Sequence, residues 1–381
     1  MRDSGDHEHG GPPGGDEDEH EEDMDPGLEK GWRALEAGDV AAALAAAEAA
    51  MGEEASRSDA LLLRAAAERE SGDVAGAIKT LGRAAKEDPE WCTPELWLAE
   101  LLVQDPARMK EALTHARRAL DRAEEEDEYL AAIACKAMIE LDLDHPEDAR
   151  ETLRGLPAPD VPLDDPETTL DLVQLLIDAG AADEARQRLE TLVEAEPDLA
   201  DAHYLLGVVA EELDDEDAKR AAWKRTRELD VAAMGAPRTG GGTGTLADDD
   251  LSGGDDSDGS SLLPETELIA VAEEAVAAIP ERLRKHMANV PIIVAEVPAA
   301  ADVAAGLDPR ALGLFNGTPL GDQGAFGEAA TLTEIILFRR NIARAAPDRE
   351  TARDEVRTTI FPAAGHFFGL DEDALENLGL N

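Results

Sequence analysis

Gly38-Asp39-Val40-Ala41 returns as Gly72-Asp73-Val74-Ala75, 34 residues further on. Both copies interrupt stretches dominated by helix formers, so each Gly-Asp pair reads as the break between two helices. Testing for a small residue where the two helices of each such pair would cross gives two rows of positions. The first reads Gly31, Ala65, Glu100, Ala137, Val173, Gly207, and the second reads Ala43, Ala77, Ala112, Ala149, Ala185, Lys219. Both rows advance by 34, 35, 37, 36 and 34 residues. Two irregular series that keep step mark the crossing points of repeated helix pairs, where close backbones leave room only for small side chains. A bulky residue stands four positions after the second row at Leu81, Leu189 and Trp223, and Pro89 and Pro197 each follow a row alanine by twelve. Glu100 and Lys219 break the small-residue rule, so the third and sixth units are the weakest.

A 34-residue period of helix pairs is that of the tetratricopeptide repeat, and residues 27–235 resemble an array of about six such units. The Pro-rich stretch Leu156 to Pro166 lengthens the join between the fourth and fifth units. The resemblance implies a mostly α solenoid, a right-handed superhelix whose concave face binds a peptide or protein partner. No evident cluster of Lys and Asn stands ready to clamp a carboxylate terminus, and the acidic surface favours a basic segment. The alternative is an Ala-rich array that only spaces two ends apart. Trp32, Trp91, Trp97 and Trp223 read as packing residues of the repeats.

The 381 residues carry 86 Asp and Glu against 35 Lys and Arg, a net charge of −51. That charge repels nucleic acid and anionic lipid and leaves basic partners or a high-salt cytosol open. Aromatic residues make up only 3%, so the core must be built from Ala, Leu and Val. Cys92 and Cys135 are too few for a disulfide framework and read as small buried apolar residues. No apolar run is long enough to span a membrane, and the first residues lack the apolar segment of a signal peptide, so a cytoplasmic protein is expected.

Residues 1–26 combine acidic runs with Gly and Pro and are expected to be a disordered tail, in which His7, His9 and His20 are solvated. Residues 236–262, rich in Gly, Ser and Asp, read as a flexible linker. From 263 to 381 the pattern is that of a small α+β domain: a helix from Pro264 to about Met287 that Pro280 should kink or split, then strands at Pro291–Val297, Ala311–Pro319 and Glu334–Ile342, and a closing helix from Asp348. Asn316-Gly317 is expected to form a turn.

This last segment resembles the minimal zincin-like metallopeptidase domain of bacteria. The likeness rests on Ala288-Asn289-Val290-Pro291-Ile292-Ile293-Val294, on Leu312 to Leu320, on Ile335-Ile336-Leu337-Phe338-Arg339-Arg340-Asn341-Ile342, on Val356 to Thr359, and on Gly365-His366-Phe367-Phe368-Gly369-Leu370-Asp371. The resemblance implies a helix presenting H-E-x-x-H, two zinc-binding imidazoles one turn apart with a general-base Glu beside them. His366 matches the second ligand, Gly369 the glycine beyond it, and Glu372 the acidic third ligand, with Asp371 one residue before. Pro362 and Ala363 occupy the positions of the first His and the Glu, and neither can bind zinc or move a proton; Pro362 should also kink the helix or restart it with Pro362 in its first turn. A catalytic zinc takes about three protein ligands and an open position, and here the motif retains at most two. Glu355, eleven residues before His366 and about 16 Å along the helix, is too far to share an ion. His286 would have to arrive from another helix.

Two readings follow for function. One is a non-catalytic interaction protein whose metallopeptidase-like domain has lost zinc, leaving His366 and Glu372 as vestiges. The other is an active zinc peptidase with non-standard ligands whose repeats recruit substrate. In the first, His366 is a helical histidine packed among Phe361, Phe367 and Phe368.

Overall fold

A computed structural model of the protein describes residues 25–52, 56–235, 262–279, 281–284, 290–318 and 331–367. The acidic tail, most of the linker, His286, Glu372 and the segment from residue 368 onward fall outside them. The protein is mostly α, with helical repeats followed by a small α+β region, and it divides into two compact units. One comprises Met1–Pro157 with Asp178–Gly180, the other Ala158–Ile177 with Ala181–Asn381.

The first unit holds four helix pairs: α1 Pro26–Glu36 with α2 Val40–Ala50, α3 Arg57–Glu70 with α4 Val74–Glu87, α5 Cys92–Leu102 with α6 Met109–Arg122, and α7 Glu126–Asp142 with α8 Pro146–Leu153. The joint inside a pair follows one design. Gly38 and Gly72 adopt φ of 76° and 82°, and Asp144 holds the same left-handed position at 61°. The following N–H then reaches back five residues, Asp39 to Ala34 O, Asp73 to Glu68 O and His145 to Glu140 O, which closes the helix end. Asp39 and Asp73 turn to the next helix, their carboxylates accepting from the N–H of Ala42 and Gly76. So the Gly-Asp signal is a stop and a start fused into two residues.

The crossing positions behave as steric spacers. Ala43, Ala77, Ala112 and Ala149 are fully buried, as are Ala65 and Ala137. A Cβ on Gly31 would come within 2.4 Å of Leu63 and 2.8 Å of Ala46. Glu100 does not hold the third crossing point: it is exposed, and Ala99 beside it is fully buried. The physical reason lies in the joint of that pair, which contains an extra 3-10 turn at Pro106–Arg108. It sets the two crossing alanines thirteen positions apart rather than twelve. The second and fourth pairs share a buried polar tie, Thr80 to Glu68 and Thr152 to Glu140, each at 2.6 Å. Cys92 and Cys135 are buried free thiols, pushed up to about 11 and about 12, in both cases first by burial.

The second unit begins with two more pairs, α9 Pro166–Asp178 with α10 Ala182–Ala195 and α11 Ala200–Glu212 with α12 Glu216–Gly235. Gly180 in the joint of the fifth pair and Asp214 in that of the sixth take the left-handed conformation. In the sixth pair the crossing residues are Gly207 and Lys219. Lys219 is buried at 6%, its ammonium pairing with Glu211 at 3.2 Å and Glu216 at 2.7 Å and lying 5.3 Å from the centre of the Trp223 ring. A lysine is accommodated because its charge is carried back out to carboxylates at the surface.

The remainder of the unit packs α13 Glu265–Ala278 and α17 Arg349–Phe367 on a three-stranded sheet of order β1-β3-β2, with β1 Ile292–Ala295 parallel and β2 Gly313–Thr318 antiparallel to β3 Thr331–Phe338. Short helices α14 Glu281–Arg284, α15 Ala300–Ala304 and α16 Arg339–Ala345 complete it. The first helix is divided on either side of Pro280. Two expectations are corrected. Asn316-Gly317 is not a turn but an irregularity within β2, where the register with β3 shifts and Gly317 takes φ 153°. The third strand stops at Phe338, and Arg339-Arg340-Asn341-Ile342 is helical, because its polar side chains serve partners off the sheet. Arg339 donates to Leu263 O, Arg340 pairs with Glu296, and buried Asn341 donates to Pro309 O and Ala311 O.

Candidate functional site

The helix expected to carry the metal site is α17. Asp348 caps it, accepting from the Thr351 N–H at 2.8 Å, a bond that holds its carboxyl below the usual range. Ala352, Val356 and Ile360 lie one turn apart and are fully buried in the core shared with α13 and the sheet, and Arg353 is hydrogen-bonded to Glu267 of α13. The helix is continuous from Arg349 to Phe367 and does not restart at Pro362. Backbone positions 362 and 366 therefore fall one turn apart, as a two-imidazole motif requires, with 363 next to the first. The scaffold for the motif is intact; the residue types at 362 and 363 are not those that use it. Among the described residues no group of three or more His, Cys, Asp and Glu is placed to hold a metal ion.

A second concentration of chemistry lies where α11 and α12 meet the α+β region. The Asp230 carboxylate of α12, 8% exposed, receives both terminal nitrogens of Arg344 at 2.8 and 2.9 Å, with Arg310 Nε 3.7 Å away. Arg310 also pairs with Asp201 at 2.5 Å and lays its guanidinium 4.5 Å from the centre of the Tyr204 ring. Tyr204 donates to Asp308 at 3.1 Å, and Arg227 donates to Pro298 O at 2.6 Å. Asp201, Asp230, Arg310 and Arg344 line a cavity of about 910 Å³ together with Arg225, Arg340 and Met234. Sequence reading missed this site entirely, since its partners stand up to 114 residues apart.

Burial first, then the Asp308 carboxylate, pushes the Tyr204 phenol up to about 12. Its protonated form is favoured in the fold, so its contribution is complete below pH 10 and is lost as pH rises toward 12. In a Tyr129→Phe background, Tyr204 is the only remaining tyrosine, and absorbance at the phenolate band should titrate near pH 12 rather than near 10. Titration at the ordinary value would remove the Tyr204–Asp308 contact from the account.

In the first unit the tryptophans divide by role. Trp32 and Trp97 are half-buried, edge to face at 6.4 Å and 83°, with the Arg69 guanidinium 5.4 Å from the Trp97 ring centre. They come from α1, α3 and α5, the first helices of three successive pairs. Trp91 is also half-buried, and Trp223 alone is sealed into a crossing, at 3% exposure.

Comparison with known proteins fits this construction. Residues 28–90 and 164–209 match tetratricopeptide repeat family models, and residues 287–380 match that of the zincin-like metallopeptidases. The chain joins tetratricopeptide repeats to a zincin-like metallopeptidase domain. Among solved structures it is similar to YrrB, described as a TPR protein with an unusual peptide-binding site, at 18% identity over 49% of this chain and 94% of that one, with a TM-score of 0.38. It is similar to Pseudomonas aeruginosa pilF at 17% identity over 55% and 91%, TM-score 0.42, and to a tetratricopeptide repeat protein from Parabacteroides merdae at 16% over 55% and 86%, TM-score 0.38. No curated protein matches the chain. No helix among the described residues is long and apolar enough to cross a membrane.

Proposed function

We propose that this protein binds rather than cleaves: a cytoplasmic interaction scaffold whose repeats, residues 27–235, hold a protein or peptide partner on their concave face, tethered through 236–262 to a zincin-like domain, 263–381, that has lost zinc and catalysis. The observation that carries the second half is the pairing of an unbroken α17 with Pro362 and Ala363 at the positions of the first imidazole and the general base. His366 and Glu372 are then remnants of a ligand set, too few to fix a divalent ion or lower the pKa of its water. The first half is supported by the half-buried Trp32 and Trp97 with Arg69, aromatic and cationic groups of the kind that anchor partner segments. The excess of carboxylates favours a basic segment as that partner.

Restoring the absent groups tests the loss. The double variant Pro362→His, Ala363→Glu should take up zinc at about one equivalent where the unaltered chain takes none, and a folded variant is verified by an unchanged circular dichroism spectrum. Cleavage of a denatured protein substrate by the unaltered chain, abolished by chelator and restored by zinc, would overturn the proposal.

A further inference from the structure

Against a chain in which carboxylates outnumber cations 86 to 35, α4 and α6 run the other way. Together they carry seven Lys and Arg and three Asp and Glu. Lys79, Arg83 and Lys86 are all exposed and spaced four and three apart, so they form one outward stripe on α4. On α6, Lys110 is exposed, and the side chains of Arg117 and Arg118 are 57% and 52% exposed. Arg83 and Arg118 each stand six residues after a crossing alanine, Ala77 and Ala112, so they are the same position of successive repeats.

Pairing sharpens the contrast. Elsewhere, exposed arginines such as Arg33 and Arg220 sit against carboxylates, Glu29 and Glu216. Among the described residues Lys79, Arg83, Lys86 and Lys110 have no ion-pair partner, and Arg117 and Arg118 reach carboxylates only at 3.9 and 3.8 Å. With so many acids available, exposed cations that are unpaired or only loosely paired on two neighbouring repeats call for an anionic occupant.

We propose that the α4 and α6 face is the docking surface for the chain's own acidic N-terminal stretch, residues 1–24. That stretch holds ten carboxylates and one arginine, seven of the carboxylates within Asp16–Asp23. A free polyanion, nucleic acid included, approaches against a net charge of −51, which slows encounter and weakens binding. A tethered segment meets the face at an effective concentration of about a millimolar without that approach. Its anchor, Asp25, lies in the same unit, where α1 packs on α3 and α3 on α4. At about 9 Å per helix layer the separation is about 20 Å, within the root-mean-square span of about 27 Å for 24 residues.

Carbodiimide coupling of the full-length protein, followed by peptide mapping of the monomer band, tests this directly. Carboxylates of residues 1–24 should couple to Lys79, Lys86 and Lys110 at least fivefold more than to Lys224. The exposed pair Arg83→Glu, Arg118→Glu should remove that excess, as should about 1 M salt, where the screening length falls to about 3 Å. Three results would each overturn the proposal: coupling no greater than at Lys224, coupling confined to covalent dimers, or an excess unchanged in the charge-reversed variant whose circular dichroism is intact. So would binding of a DNA duplex at this face in the absence of tail coupling.

Discussion

Gly207→Ala should destabilise the second unit by about 2–4 kcal/mol, although alanine is the better helix former by about 1 kcal/mol. The added methyl would stand 2.0 Å from both Cδ1 and Nε1 of Trp223, a distance no carbon can occupy. The indole is 3% exposed and cannot yield by swinging a flexible tip, so the ring must leave its site or α11 and α12 must part. Displacing a buried aromatic costs up to the 3–5 kcal/mol of truncating one, and overpacking alone costs about 1–3 kcal/mol. Steric cost therefore exceeds propensity. Gly82 supplies the control: it lies in α4 with nothing within 4 Å of a would-be Cβ, so Gly82→Ala should be neutral or stabilising by up to about 1 kcal/mol. Urea unfolding followed by tryptophan fluorescence and circular dichroism separates the two. Equal effects at both positions would mean that Gly207 is not a crossing residue.

Asp230→Ala should cost about 2–3 kcal/mol and release the α+β region from the last repeat. Removing one partner of a buried ion pair costs about 3–5 kcal/mol because the other is stranded. Arg344, whose side chain is 37% exposed, can partly rehydrate, which lowers the figure; Arg310, at 15%, cannot do so readily. The double-mutant cycle with Arg344→Ala should give a coupling energy of about 1–2 kcal/mol. The readout is the urea midpoint together with protease sensitivity of the region from residue 263 onward. A stability loss below about 0.5 kcal/mol would show that the Asp230–Arg344–Arg310 contact contributes little to holding the region on α12.

The repeats were legible in the sequence because their signal is steric. A crossing point admits only a small side chain, and it recurs once per helix pair, so Ala43, Ala77, Ala112, Ala149 and Ala185 announce themselves without any knowledge of three dimensions. The third crossing was displaced by one residue because the extra turn at Pro106–Arg108 lengthens one joint and breaks the count, so the row fell on Glu100 instead of Ala99. In the α+β region, Ile335 to Ile342 reads as one β-rich run, and nothing local says that the chain turns helical after Phe338. That change is decided by distant partners: Leu263 O for Arg339, Glu296 for Arg340, and the carbonyls of Pro309 and Ala311 for Asn341. The Asp230–Arg344 contact was invisible for the same reason, two ordinary charges brought together only by the fold.

The candidate metal site presents the opposite balance. Residue types at 362, 363 and 366 are plain in the sequence, whereas the continuity of α17 through Pro362 was not. Proline costs a helix about 3 kcal/mol, yet α17 runs unbroken from Arg349 to Phe367. The helix persists where propensity alone would stop it.

The most direct measurement is the zinc content of the full-length protein, purified without chelator, dialysed against metal-free buffer and read by mass spectrometry of the element. Fewer than about 0.1 equivalents, unchanged by His366→Ala, is the predicted result, since zinc held by fewer than three ligands should not survive dialysis. About one equivalent, lost on His366→Ala, would contradict the central claim and make this chain a metalloprotein.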